Sequence, residues 1–182
     1  MNAGGSVFCE RGVGEERGCA SWFGGDGVYL GCNGLGGTMM FSQLGNRDFV
    51  LRLEAGDDIL ESLQRFAERK RLRAAAFEGI GSLNKAKLGH YDFTTKKYTF
   101  EVFEDDLEIL SLQGNISTLD EKPVPHAHAT LGKRDFTVIG GHLDQGSLAN
   151  MVEIVVQKLP GRLVKAKDEK IGLNLLQLPR KL

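Results

Sequence analysis

From residue 47 onward, apolar and polar side chains follow patterns that predict definite elements. Phe49, Leu51 and Leu53 alternate with Val50, Arg52 and Glu54, the period of a strand with one face mostly buried. Gly56 breaks this run, and Asp57 and Asp58 follow it, placing negative charge where a helix N-terminus favours it. Ile59, Leu60, Leu63, Phe66 and Ala67 then recur at helical spacing, so one main helix is expected over about 57–71. Its outer face carries Glu61, Gln64, Arg65, Glu68, Arg69, Lys70 and Arg71. Acids interspersed with bases mark a solvated face rather than a nucleic-acid footprint.

The rest reads as strands and turns. Residues 74–78, 86–93, 98–103 and 107–113 are short β-prone runs, with Thr94-Thr95-Lys96-Lys97 as a hairpin connection between the second and third. Runs at 128–131, 136–139, 151–156 and 173–178 complete the set, and Pro160-Gly161 marks a late turn. One helix followed by many strands, without regular alternation, predicts an α+β fold on a largely antiparallel central sheet. At 182 residues the chain has room for a single domain with a tail and is short for two domains of ordinary size.

Before residue 47 the pattern is lost. The first 46 residues hold thirteen of the 24 glycines, all three cysteines and the only tryptophan. Such a segment cannot bury enough apolar surface to offset its chain entropy. The expected organisation is therefore a disordered glycine-rich extension over 1–46, a folded domain over 47–178 and a tail over 179–182. Gly34-Leu35-Gly36-Gly37-Thr38 is only loosely like a phosphate loop, since no lysine follows it and no strand-to-helix setting surrounds it. Met39 and Met40 stand just before the change, and translation of the natural protein is expected to begin there. Cys9, Cys19 and Cys32 are odd in number and form no CxxC pair, so free thiols are expected rather than disulfides or a cysteine zinc site.

Charge narrows the partners. A net charge of -1, from 23 basic and 24 acidic residues, creates no global field that draws the chain to nucleic acid or anionic lipid, and any DNA contact needs a local patch. No stretch approaches the roughly 18 uninterrupted apolar residues of a membrane span, and no basic segment followed by an apolar one reads as a secretory leader. The expected compartment is the cytoplasm.

Candidate chemistry concentrates in three of the four histidines, carried by His126-Ala127-His128 and Gly140-Gly141-His142. Residues two apart on a strand point to one face, about 6.6 Å apart along the chain. Their imidazoles can therefore converge on one cation at about 2.0–2.1 Å. His142 joins them only if the connecting hairpin pairs even positions with even, such as 126 with 142. A tight turn centred on Lys133-Arg134 would pair 131 with 136 and turn His142 away. The site thus requires an odd-length turn near 132–135, or a bulge, for which Gly140-Gly141 is a suitable place. Three neutral imidazoles leave one position open in a tetrahedral zinc site, the arrangement of catalytic zinc. Zinc is the first choice, and imidazole ligation also suits nickel, copper or iron. His90, alone in Gly89-His90-Tyr91, reads as an ordinary polar residue. Glu153 interrupts the apolar run 151–156. A carboxylate in such a strand either faces solvent or is kept for a partner, a metal or proton transfer, which makes Glu153 a candidate catalytic base. Glu78 raises the same question.

The order of motifs adds a family. Gly79-Ile80-Gly81-Ser82-Leu83, Leu88-Gly89-His90-Tyr91-Asp92, Glu108-Ile109-Leu110-Ser111-Leu112-Gln113-Gly114-Asn115-Ile116-Ser117, Pro125-His126-Ala127-His128 and Gly140-Gly141-His142-Leu143 follow one another over 47–178. This succession resembles the prokaryotic form of the plant and prokaryote conserved domain. The resemblance implies an α+β fold with a central antiparallel sheet, assembly as a homotrimer, and metal binding by His126, His128 and His142. In plants the module accompanies AT-hooks, Arg-Gly-Arg-Pro-centred arms that enter the minor groove of A·T-rich DNA, and prokaryotic relatives are described as DNA-binding by that analogy. No Arg-Gly-Arg-Pro stretch occurs in this sequence. Two functional expectations result. One is a metal-binding homotrimer with a DNA-associated or regulatory role. The other is a zinc-dependent enzyme acting on a small molecule in a cleft between subunits, with Glu153 as base.

Overall fold

Phe49, Leu51 and Leu53 become the inner face of a strand because a helix and a second layer of apolar side chains cover them completely; all three are buried, while Arg52 between them is exposed. The computed structural model describes residues 22–23, 28–32 and 38–179. Its elements are β1 (Trp22–Phe23), β2 (Val28–Cys32), β3 (Thr38–Leu44), β4 (Asp48–Leu53), α1 (Ile59–Lys70), β5 (Ala75–Asp92), β6 (Lys97–Phe103), β7 (Leu107–Leu119), β8 (Lys122–Gly132), β9 (Val138–Leu143), β10 (Leu148–Lys158), β11 (Lys165–Asp168) and β12 (Leu173–Leu176). Among the described residues twelve strands accompany one helix, so the sheet dominates, and the expected helix is the minor part of a mostly antiparallel fold.

The helix forms where the pattern places it, and its ends have local causes. The Asp58 carboxylate accepts from the Glu61 backbone amide at 2.9 Å and from the Gly146 amide at 2.6 Å, satisfying a donor that a helix start leaves open. Arg71, in the left-handed conformation with φ 52°, ends the helix by bonding back to Ala67 and Glu68 carbonyls. Ile59, Leu63 and Phe66 are fully buried.

The large sheet runs β1-β2-β3-β4-β10-β5-β7-β8-β9, with β6 on β5. Its organiser is β5, 18 residues long, which joins two runs that the sequence pattern keeps separate. The strand passes through Gly79 and Gly81 with a register shift against β7. The first half of β5 lies between β10 and β7, and the second half pairs with β6 and β9. Since β7 pairs with β8 and β8 with β9, the return of β9 to β5 closes these four strands on one another. At Gly114 of β7 an added Cβ would stand 2.1 Å from the His126 carbonyl oxygen and 2.3 Å from the Phe77 ring, so close approach there requires glycine.

Two segments differ from expectation. The boundary expected at 46/47 cuts through ordered structure: β3 pairs with β4 from Met40↔Arg52 to Leu44↔Asp48, and Met39 and Phe41 are buried in the core. Phe41 meets Phe66 edge-on at 5.4 Å, as Phe49 does at 5.2 Å. The order of residues 1–21, 24–27 and 33–37 lies outside the described residues. At the other end, the chain after β10 is bonded along β7: the Thr118 amide donates to the Leu163 carbonyl at 2.8 Å and the Leu163 amide to the Arg73 carbonyl at 3.1 Å. It then forms the β11–β12 hairpin, whose turn accepts a bond from the Tyr91 hydroxyl at the Ile171 carbonyl, 2.6 Å. Among the described residues no helix is long and apolar enough to cross a membrane.

Phe41→Ala tests whether β3 belongs to the folded unit. Removing a buried aromatic ring costs about 3–5 kcal/mol, and a denaturant titration is expected to show a loss of that order. A loss below about 0.5 kcal/mol, the range of an ordinary surface change, would place β3 outside the cooperative core.

Candidate metal centre

The hairpin between β8 and β9 decides whether three imidazoles meet. Its ladder ends at Gly132↔Val138, which leaves residues 133–137, a turn of odd length. The Lys133 amide donates to the Thr137 carbonyl at 2.9 Å, the Phe136 amide to the Lys133 carbonyl at 2.8 Å, and Asp135 accepts from the Thr137 hydroxyl at 2.6 Å. From there the ladder runs without a shift to His128↔His142. Even positions therefore oppose even ones, as the site requires, through the turn alone and with no bulge at Gly140-Gly141. The direct partner of His142 is His128 rather than His126. Gly141 has a separate use: a Cβ there would lie 2.9 Å from the Gly89 carbonyl oxygen, so its absence lets β9 fit against β5.

The three rings gather. Centroids are 5.2 Å apart for His126 and His128, 5.0 Å for His126 and His142, and 5.7 Å for His128 and His142. One nitrogen from each lies within 4.8 Å of the others, a spread that small side-chain rotations bring to the bond lengths of a zinc–imidazole site, about 2.0–2.1 Å. His126 and His142 are half-buried and His128 is exposed. Two observations fit a cation. His142 Nδ1 is buried with no hydrogen-bond partner among the described residues, an orphan of the kind that native structures rarely leave unexplained. The protonation state is also that of a ligand: burial, then the positive charge of Lys165 and the neighbouring His142 and His128, push His126 down to about 4. Burial and then His128 lower His142 as well, against an opposite pull from Asp144. Both rings are thus held neutral, with a lone pair to offer.

Beside them is a cavity of about 330 Å³ lined by His126, His142, Tyr98, Asp144 and Lys165 together with apolar side chains and the amides of Gln64, Gln145 and Asn174. The Tyr98 ring packs on His142 at 5.2 Å, and burial raises the proton affinity of its hydroxyl, helped by Tyr91 and Asp144. Asp144 is ion-paired with Lys87 at 2.6 Å. None of these three was singled out from sequence. Asp144 had a weak signal, its place two residues after His142; Lys165 had none, because nothing local encodes the path of the β11–β12 hairpin.

Glu153 stands elsewhere. It is exposed on β10, opposite Arg52 and Ile80, and β5 and β7 intervene before β8. Three strand spacings amount to roughly 14 Å, so one chain does not bring Glu153 to the imidazoles. Glu78, opposite Gln113 and Val155, is likewise exposed and outside the cavity. His90 lies opposite Thr99 on β6 and takes no part in the cluster.

The sequence profile of the Plants and Prokaryotes Conserved (PCC) domain matches residues 40–160. The chain is similar to the metal-containing protein AF0104 of Archaeoglobus fulgidus, with 37% identity, 73% of this chain and 94% of that one covered, and a TM-score of 0.69. It is also similar to a protein of Bacteroides thetaiotaomicron named as a candidate DNA-binding protein, with 28% identity, 75% and 95% covered, and a TM-score of 0.72. The bifunctional protein GlmU of Synechococcus sp. strain JA-3-3Ab is 33% identical over 137 residues, 74% of this chain. The chain spans only 21% of the length of that curated relative.

The depressed His126 sets a pH dependence for the metal-free protein. An unfolded imidazole titrates near 6.5, so between about pH 6.5 and 4 the unfolded chain binds the proton that the folded chain refuses. Stability is then full above that window and falls as the pH drops through it. Denaturation of chelator-treated protein is expected to show this fall, and His126→Gln to flatten it. An unchanged slope in the variant would contradict the assignment.

Proposed function

The chain belongs to the Plants and Prokaryotes Conserved (PCC) domain family, and on that premise we propose that it is a homotrimeric, cytoplasmic metal-binding protein with a DNA-associated or regulatory role. Zinc, or another divalent transition metal suited to imidazole, is held by His126, His128 and His142. The convergence of these three side chains carries the reading. Support comes from the names of similar proteins, one metal-containing and one a candidate DNA-binding protein. The trimer is what the family resemblance implies, and self-association in general is supported by Ile80, Leu110 and Met151, which are 62%, 54% and 52% exposed, since exposed apolar surface marks an interaction site.

A second reading, a metal-dependent enzyme acting on a small molecule, is favoured by the cavity at His126 and His142. A divalent ion there supplies Lewis acidity toward an oxygen ligand. Tyr98 offers a proton donor at the same cavity. Glu153 serves as base in this reading only if a neighbouring subunit presents it, since its own chain keeps it away.

Elemental analysis of purified protein beside its His128→Ala variant tests the proposal. Because His128 is exposed, its removal is expected to abolish the bound metal while leaving the fold of the metal-free protein unchanged by circular dichroism. Equal metal content in the two proteins would overturn the site. A salt series on duplex DNA separates the readings: phosphate contacts must weaken steeply between about 50 and 200 mM salt, and no binding at the lower concentration leaves the small-molecule reading.

A further inference from the structure

The β11–β12 hairpin lies beyond residue 160, outside the segment matched by the family profile, yet it delivers a cation to the metal centre. Its entry is fixed by the bonds of Leu163 to Thr118 and Arg73 and by the bridge of Val164 to Thr118. Lys165 follows directly. It is half-buried, it lines the cavity with His126 and His142, and its charge acts on both imidazoles. No hydrogen bond or ion pair reaches its ammonium among the described residues. An ammonium drawn from water without a counter-ion is costly, so its placement calls for an anion.

The charges around the cavity give the same answer. Lys165 is the only lysine or arginine among the lining residues, and Asp144, the only lining carboxylate, is already paired with Lys87. Neutral imidazoles contribute no negative charge against a divalent ion. The rest of the wall combines five apolar residues, Leu60, Leu119, Val124, Pro125 and Leu173, with the neutral amides Gln64, Gln145 and Asn174. A cavity of about 330 Å³ falls at the low end of the range for small-molecule sites, suited to a metabolite and not to a polymer.

Resting on the reading of a metal at the three imidazoles, we propose that Lys165 and that centre form a two-point site for a small organic acid, a carboxylate with an aliphatic body. The two carboxylate oxygens serve one positive group each, and the aliphatic body fills the apolar wall. A phosphate has no aliphatic body and leaves the five apolar lining residues uncovered. Lys165 acts as the residue that selects the anion.

The test uses the full chain loaded with cobalt(II), whose visible spectrum reports ligands at the metal. Isobutyrate is titrated as the carboxylate probe and inorganic phosphate as the alternative, against wild type, Lys165→Met, Lys165→Gln and Lys165→Arg. Loss of a charged hydrogen bond is expected to weaken isobutyrate about tenfold or more in the Met and Gln variants, with cobalt content and melting temperature unchanged and partial recovery in the Arg variant. Equal isobutyrate affinity in cobalt-loaded wild type and Lys165→Met would overturn the inference and leave the metal site standing. Tighter binding of phosphate than of isobutyrate would overturn the organic-acid assignment. If wild type takes up no cobalt, the metal reading fails and this inference falls with it.

Discussion

The register between β8 and β9 is the constraint on which the centre depends. Ala127↔Leu143 and Leu131↔Ile139 alternate with His128↔His142 and Thr130↔Gly140 along one ladder. Ala127, Leu131 and Leu143 are buried in the core. A slip of one residue exchanges the faces of a whole strand. It would expose Leu143, forfeiting on the order of 1.5–3 kcal/mol of apolar burial, and would drive His142 into the core. The hydrophobic core thus fixes, at no distance from the site, which way the third imidazole points. The five-residue turn at 133–137 makes that register attainable without strain at Gly140-Gly141.

The same packing keeps the imidazoles in a state that suits a cation and little else. Two half-buried rings are held neutral, and one buried nitrogen has no partner among the described residues. Left empty, such a cluster is an unsatisfied polar network, which in a low-dielectric setting is destabilising. The second half of β5 brings Tyr98 through β6 and pairs directly with β9, so the strand that organises the sheet also walls the site. The β11–β12 hairpin adds the one feature not inherent in the sheet, a cation aimed at the cavity. In the proposed site that charge ties the C-terminal segment to the ligand.

Much of this was legible in the chain. The helix followed from Ile59, Leu63 and Phe66 with the negative charge of Asp57 and Asp58 at its start, β4 from alternation, and the gathering of His126, His128 and His142 from their spacing with a stated demand on turn length. The misses have physical causes. In β3 the signal is only Met39 and Phe41, too short an alternation to stand out from the glycine-rich residues before it. The runs at 74–78 and 86–93 read as separate, and the strand continues between them because Gly81 at φ 139° accommodates the Met151 carbonyl that any Cβ would strike at 2.2 Å. Glu153 stands out as a carboxylate interrupting an apolar run, a signal that carries no distance across the sheet, and within one chain it stands on β10 with β5 and β7 between it and β8. Lys165 depends on tertiary bonds to Thr118 and Arg73 that no local pattern carries.

The claim at the centre of this account is that three imidazoles from two adjacent strands share one ion. X-ray absorption at the metal edge of the loaded protein measures this directly. The account predicts a shell containing three imidazole nitrogens at about 2.0–2.1 Å for zinc. A shell with one imidazole or none, or one dominated by sulfur, would place the ion elsewhere and contradict it.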